Sequence, residues 1–271
     1  MIFSPRHQHP ASLQRTLSSP WGWAVGGAVL GLVLATVVNA PARWLTDALQ
    51  QSSHGRVLLQ DTRGTVWNGS ARVTLTGGPG SQDAATLPGR VGWQLHPDLS
   101  GLQAQLQADC CMQQPWRLSL QPRWGGATLT LHDSLSQWPA QWLTGLGTPW
   151  NTVQAEGQLA LSTRGLSFQW AAGRMLLGGQ AQLDATNISS RLSTLKPMGS
   201  YRITVLGGAT PTLALETLDG SLQLTGSGQW VGSRLRFEGA ASATPERQDA
   251  LSNLLNIIGR RDGARAIIKV G

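Results

Sequence analysis

Length, composition and charge limit what this chain of 271 residues can be. Charged residues make up 13% of the chain, about half of their usual share in a soluble globular protein. The formal net charge is +7 and the isoelectric point is near 10.9. However, the basic residues are spread along the chain without a dense run or interleaved aromatic residues, which argues against nucleic-acid binding. The only local cluster, Arg260, Arg261, Arg265 and Lys269, leaves open a weak attraction to anionic lipid or to an acidic partner.

The segment from Trp21 to Ala40 predicts a transmembrane helix. It consists mainly of Ala, Val, Leu and Gly and has no charge, and roughly 20 such residues cross a hydrocarbon core of about 30 Å. Trp21 and Trp23 at one end and Trp44 beyond the other are typical of membrane interfaces. A cleaved signal sequence is the alternative, but its apolar region is usually about 7–15 residues, and Pro41 disfavours cleavage after Ala40.

The charges around this segment predict its orientation. The preceding tail carries Arg6 and Arg15 and no acidic residue, although Arg43 lies just beyond the span. A short basic tail favours the cytoplasmic side of the membrane. For a bacterial chain we therefore predict three parts: a cytoplasmic tail at 1–20, an inner-membrane span at 21–40, and a periplasmic domain at 41–271.

The remainder of the chain has the pattern of an antiparallel β protein. Gly101–Ala108 alternates Leu and Ala with Gln, which is typical of a strand with one buried and one solvated face. Similar runs recur at intervals of roughly 8–12 residues, which predicts an antiparallel meander or a β-sandwich-like domain. These runs are Arg90–His96, Trp116–Leu120, Ala127–Leu131, Val153–Leu161, Leu166–Ala171, Met175–Asp184, Tyr201–Leu206, Pro211–Thr217, Ser221–Trp230, Arg234–Ala241 and Ala264–Val270.

Two short helices are predicted to cover this sheet. Ser136–Gly145 has Pro139 near its first turn. Pro245–Ile258 follows Thr244 as a possible N-cap and carries Leu and Ile at i, i+3, i+4 and i+7, with Gly259 at its end. An apolar stripe of this kind has to pack against another element, and the open face of the sheet is the simplest one.

The segment Asp61–Leu75 predicts a tight β-hairpin. Asn68-Gly69 between β-forming residues is a strong hairpin signal, because both central residues of that turn need positive φ. The expected pairing is Trp67 with Ser70 and Val66 with Ala71. A phosphate-binding loop would need a helix after the glycines, and Pro79 and the glycines from Gly77 exclude one here.

No catalytic constellation is evident in the sequence. The five histidines are scattered, and no Gly-x-Ser-x-Gly elbow, zinc-protease motif, Walker loop or pair of catalytic carboxylates occurs. His132-Asp133 is the only adjacent His–acid pair. Cys110 and Cys111 are the only cysteines, so they are either free thiols or bonded to each other. We therefore predict no enzyme, no cofactor and no metal site.

The 12 tryptophans allow two interpretations. Six of them lie in or beside predicted strands, where packing within the sheet is the simpler explanation. Tryptophan and arginine also dominate binding hot spots. A possible partner-docking surface therefore comprises Trp67, Arg72, Trp230, Arg260 and Arg261.

Several segments resemble one family, protein N of the type II (general) secretion pathway of Gram-negative bacteria. After the N-terminal span they are "RGTVWNGSARV" at Arg63–Val73, "LKPMGSYRI" at Leu195–Ile203, "TLDGSLQLTGSGQWVG" at Thr217–Gly232 and the closing stretch Arg236–Gly263. Their order and spacing carry the resemblance, which covers nearly all of the chain from Trp21. Gly78–Ala85 and Ala108–Trp116 depart from the family pattern.

This resemblance implies an inner-membrane accessory or structural component of the secretion machine that has no catalytic residues. Its periplasmic domain would contact inner-membrane platform proteins, the outer-membrane secretin, or both, and would support export of folded proteins across the outer membrane. An alternative from the residues themselves is a membrane-tethered periplasmic lipid-binding or lipid-transfer module, since a long meander under a covering helix can form an apolar groove. The sequence predicts no nucleic acid or small-molecule substrate as a partner.

Overall fold

The computed structural model describes residues 21–171, 173–232 and 234–271. The chain divides into two compact units, residues 1–39 and 40–271. In the first unit, helix α1 (Trp21–Val38) buries none of its side chains and is long and apolar enough to cross a bilayer. The predicted cytoplasmic tail, residues 1–20, lies outside the described residues.

The second unit is a β structure with short helices. Two segments form 3-10 helices, Ala140–Leu146 and Pro245–Arg247. The α-helices are α2 (Arg43–Ser52), α3 (Trp150–Val153) and α4 (Gln248–Ile258). The strands are β1 (Val57–Gly64), β2 (Asn68–Thr76), β3 (Ala84–Thr86), β4 (Val91–Asp98), β5 (Gly101–Ala108), β6 (Trp116–Arg123), β7 (Gly126–Leu131), β8 (Ser134–Pro139), β9 (Glu156–Ala171), β10 (Arg174–Ser189), β11 (Gly199–Gly208), β12 (Thr212–Gly220), β13 (Leu222–Val231), β14 (Arg234–Ala243), β15 (Arg260–Asp262) and β16 (Arg265–Val270).

All sixteen strands belong to one antiparallel sheet. Its order is β1-β2-β4-β5-β6-β7-β9-β10-β11-β12-β13-β14-β16-β15, with β3 on β2 and β8 on β9. Neighbours along the chain are thus mostly neighbours in the sheet, as short hairpin connections dictate. Of the two architectures that the sequence left open, the meander is the one found.

The register of the strands separates the sheet into an apolar and a polar face. On the apolar face, Leu161, Leu183, Ile203 and Leu215 stand opposite one another on four successive strands. One residue further along, Asp184, Arg202 and Glu216 form a rung on the polar face. This is the alternation expected of a half-buried sheet.

The two ends of the strands differ in what covers them. We call one end the covered edge: there the 3-10 helix Ala140–Leu146, α3 and α4 pack over the apolar face, and Leu251, Leu254 and Leu255 of α4 are fully buried. We call the other end the tip edge, which contains the β4–β5, β6–β7, β9–β10 and β13–β14 turns. The largest buried cluster therefore lies toward the covered edge, and a smaller cluster around Ala42, Ala71 and Trp93 lies under α2.

The first hairpin and one helix differ from their predictions, and one further helix was not predicted. The first hairpin turns at residues 65–67, with Gly64 opposite Gly69, because Asn68 bonds back to Thr65 and the left-handed residue is Gly64 (φ 87°). Gly69 is needed for a different reason, since the Trp93 ring occupies the space of a Cβ there.

The other two differences concern helices. The predicted helix Ser136–Gly145 starts only at Ala140, because the preceding residues pair with β9 as β8. Trp138 and Trp142, which both fall within the range of the predicted helix, stack with their ring centroids 5.4 Å apart although Trp138 lies on β8. Helix α2 was not predicted, whereas the helix before Gly259 was confirmed, beginning with a 3-10 turn at Pro245.

Candidate docking surface

The five residues predicted for docking do not form one surface. Trp67 is half-buried in the β1–β2 turn and Arg72 is exposed on β2, near one end of the sheet order. Trp230 on β13 is half-buried, and Arg260 and Arg261 on β15 are exposed near the other end. Eight strands separate β2 from β13, which at about 4.8 Å per strand is roughly 40 Å along the sheet.

A different group of residues was missed by sequence reasoning and lies together at the tip edge. Leu99 and Trp124 are fully exposed in the β4–β5 and β6–β7 turns, and Trp170 and Met175, at the β9–β10 turn, are 41% and 60% exposed. Leu120 on β6 is also exposed. We call these five residues the tip patch. A large apolar residue inside a Gly- or Ser-containing turn, as in "DLSG" and "RWGG", was the available sequence signal.

The strand register brings four strand ends of the tip edge level with one another. Arg123 stands opposite Gly126, Gly126 opposite Ala171, and Ala171 opposite Arg174, so the ends of β6, β7, β9 and β10 are level. On the adjacent rung, Trp170 and Met175 stand opposite each other on the apolar face. Their side chains therefore project from the same side of the sheet.

An apolar rung that is only partly buried continues from the tip edge toward the core. It consists of half-buried or exposed side chains that stand opposite one another in register, namely Leu102, Leu120, Leu129, Phe168 and Leu177. The Phe168 and Trp170 rings stack with centroids 6.3 Å apart. Contiguous exposed apolar surface of this kind marks contact with a protein, a membrane or a ligand.

Basic residues flank the tip patch. Arg123 ends β6 beside Trp124, and Arg174 begins β10 beside Met175. Both are exposed, and neither forms an ion pair with another described residue. The nearby Asp98 carboxylate is used within its own turn, where it accepts hydrogen bonds from the Ser100 and Gly101 amides at 2.7 and 2.8 Å. The positive charge at this end of β6 and β10 is thus available to a partner.

The chain enters the second unit at the tip edge. The Val66 amide donates to the Ala40 carbonyl at 2.8 Å and the Ala42 amide to the Gly64 carbonyl at 3.2 Å, which fixes residues 40–42 to the β1–β2 turn. Helix α2 then packs Leu45 against Ala71 and Trp93 on the apolar face.

Comparison with known proteins identifies the family. The model of the type II secretion system protein N family matches residues 55–268, most of the chain. The chain belongs to this family. It is therefore a component of the type II secretion system and takes part in protein transport together with other proteins of that system. No curated protein matches the chain, and no solved structure does.

In this protein N family member, an ion-pair network holds the first hairpin beside the entry point. The Arg90 guanidinium donates to the Asp61 carboxylate at 2.5 Å, to the Asp61 carbonyl at 2.6 Å and to the Ser70 carbonyl at 3.0 Å. The register between β1 and β2 shifts between Gln60 and Arg63, and Asp61 has φ 48° there. The hydrogen bonds from Arg90 bridge this irregular part of β1. The hydrogen bond from Arg90 is the main reason that the pKa of Asp61 lies below its ordinary value.

The residues considered for chemistry have structural partners in this secretion protein. The Asp133 carboxylate accepts a hydrogen bond from the Gly165 amide at 2.7 Å. Cys110 and Cys111 are bonded to each other, and Cys111 is buried in the cluster with Met112 and Val73. Among the described residues, no group of three or more His, Cys, Asp or Glu could hold a metal ion.

Proposed function

We propose that this protein is an inner-membrane-anchored accessory or structural component of the type II secretion system that supports export of folded proteins from the periplasm across the outer membrane. Residues 1–20 would be cytoplasmic, 21–40 would cross the membrane and 41–271 would be periplasmic. The observation that carries the proposal is an apolar helix with no buried side chain, joined directly to a β unit of the protein N family.

The mechanism that fits this arrangement is tethering. A span that holds the β unit at the membrane raises its effective concentration for other membrane components without any new contact. The partners in this proposal are inner-membrane platform proteins, the outer-membrane secretin, or both. Energy for export would come from other proteins of the secretion system. The role proposed for this chain, tethering a β unit to the membrane, does not require an energy source of its own.

Complementation of a deletion strain tests the proposal. Export of a secreted enzyme should be lost in the deletion strain and restored by the full chain. A matched control replaces residues 21–40 with an unrelated single span and should restore export as well. A variant with a cleavable signal in place of the span, which releases the β unit into the periplasm, should restore export poorly.

Three results would contradict parts of the proposal. Normal export in the deletion strain would refute the role in secretion. Full restoration by the released β unit would refute tethering. Protease added to spheroplasts should digest the β unit, and protection of that unit would refute the periplasmic placement.

Lipid handling is a second candidate function, favoured by the apolar rung that includes Leu120, Phe168 and Leu177. These side chains are not fully buried although they lie on the apolar face, and such a surface suits acyl chains. Native mass spectrometry of the full chain released gently from nanodiscs tests it. We expect retained phospholipid in the wild type and less in a Phe168→Asp variant. No retained lipid in the wild type would refute this candidate.

A further inference from the structure

We propose that the tip patch (Leu99, Leu120, Trp124, Trp170 and Met175) contacts the lipid bilayer surface, as a second membrane contact besides the span. This inference rests on the membrane span of the proposed function and is independent of any role in secretion. It assigns this membrane contact to exposed residues of the β unit at its tip edge.

The chemistry of the tip patch suits a membrane interface. Trp124 and Leu99 project from turns, where they can enter a headgroup layer without disturbing the sheet. Tryptophan is enriched at bilayer interfaces, because its ring is apolar and its N–H is polar. Apolar side chains at the ends of hairpins therefore lose contact with water while the strand backbone remains paired within the sheet.

The flanking charges fit phospholipid headgroups. Arg123 and Arg174 are three strands apart in the sheet order and lie next to Trp124 and Met175 in the chain, with their own rung on the face of the sheet opposite Trp170 and Met175. Arginine binds phosphate oxygens through two parallel hydrogen bonds, and basic residues near an anionic leaflet are attracted to it. Apolar residues flanked by cations are characteristic of segments that lie at a membrane interface.

The position of the entry point selects a bilayer over a protein partner. Residues 40–42 are fixed to the β1–β2 turn, and only Asn39 separates Ala40 from the end of α1 at Val38. Two residues of chain span at most about 7 Å, so no long linker separates this turn from the proposed span. The β6–β7 turn is four strands further along the order, or roughly 20 Å along the sheet. The tip patch therefore lies along the same strand ends as the point where the chain enters the β unit.

Lipid-dependent quenching at single labelled positions tests this contact. The full chain is placed in nanodiscs of phosphatidylethanolamine and phosphatidylglycerol, with an environment-sensitive dye on Leu99→Cys under non-reducing conditions that keep Cys110 bonded to Cys111. Leu135→Cys is the matched control, because Leu135 is another exposed leucine but lies on β8. Leu30→Cys, in the middle of α1, reports whether the span is inserted.

The expected result is quenching by brominated lipid at residues 99 and 30, at least twofold greater than at residue 135. Quenching at residue 30 without quenching at residue 99 would overturn the proposal and leave the span intact. If neither is quenched, the span fails and the proposal fails with it. A label at residue 99 that is shielded from aqueous iodide but not quenched by lipid would indicate a protein or a second copy on the patch, and would also overturn the proposal.

Substitutions within the tip patch provide a second test. Trp124→Asp combined with Trp170→Asp should reduce lipid quenching of the residue-99 label at least twofold. Trp150→Asp is the control, since Trp150 is also exposed but lies in α3 near the covered edge, and it should leave quenching unchanged. Equal quenching in all three proteins would overturn the proposal.

Arg123→Gln with Arg174→Gln should abolish any dependence of quenching on phosphatidylglycerol content, and a retained dependence would refute the role of these arginines.

Discussion

The covered edge and the tip edge of the sheet carry similar apolar residues with opposite exposure. At the covered edge, Leu251, Leu254 and Leu255 of α4 are buried against the sheet. At the tip edge, Leu99 and Trp124 have no packing partners that exclude water. Side chains of the first group stabilise the fold, because their removal from water favours folding. Those of the second group contribute little to the folded state, so their presence points to an interaction outside the chain.

The largest effect is expected from a core leucine at the covered edge. Leu255→Ala should lower the free energy of unfolding by about 2–5 kcal/mol, because it removes buried methyl groups and leaves a cavity. Ile257→Ala is the control on the same helix, since Ile257 is 46% exposed, and it should cost much less. Urea unfolding followed by circular dichroism measures both. Equal destabilisation by the two variants would show that α4 does not pack as described.

The covered edge and the strands were predictable from sequence because their patterns are local. The alternation of Gly101–Ala108 gave the bounds of β5, and the Leu spacing before Gly259 indicated a helix with one buried face. Both patterns report which side of an element is buried, and burial is what stabilises the element.

The tip patch and the position of the first turn could not be predicted in the same way. Asn68-Gly69 is a strong local turn signal, but the left-handed residue is Gly64, and Gly69 instead lies in β2 opposite Trp93, a residue on another strand. Likewise, Leu99 and Met175 are far apart in the chain and share an edge only because β5, β6, β7 and β9 stand between them in the sheet. Long-range strand order therefore decides which exposed residues form one surface.

An intermediate effect, dependent on pH, is expected from an ion pair on the polar face. The Arg202 guanidinium donates to the two Asp184 carboxylate oxygens at 2.7 and 2.9 Å. These bonds from Arg202 hold the pKa of Asp184 below its ordinary value, against the opposing effect of burial. Because the folded-state pKa lies below the unfolded value of about 3.9, the stabilisation is present above that value and is lost as the pH falls through the folded-state pKa.

Asp184→Asn should therefore lower the free energy of unfolding by about 1 kcal/mol at neutral pH, and the difference from wild type should vanish in acid. Urea midpoints for both proteins across the acidic range measure this. Glu238→Gln is the control, since its pair with Lys269 is exposed to solvent on both sides, and it should have a smaller effect at neutral pH. A difference between wild type and Asp184→Asn that does not change with pH would contradict the role of this ion pair.

The smallest effect on stability is expected for the exposed side chains at the tip edge, and comparison with a buried tryptophan tests this most sharply. Trp124 is fully exposed, so Trp124→Ser leaves no cavity and should change the free energy of unfolding by no more than about 0.5 kcal/mol. Trp93 is the buried control: its side chain is 5% exposed, and its indole N–H donates to the Val66 carbonyl at 3.0 Å. Trp93→Ser should therefore cost several kcal/mol, as large-to-small changes of buried Trp do (about 3–5). If Trp124→Ser instead destabilised the protein as Trp93→Ser does, the tip edge would be part of the folding core, and its exposed residues would no longer require a partner to explain them.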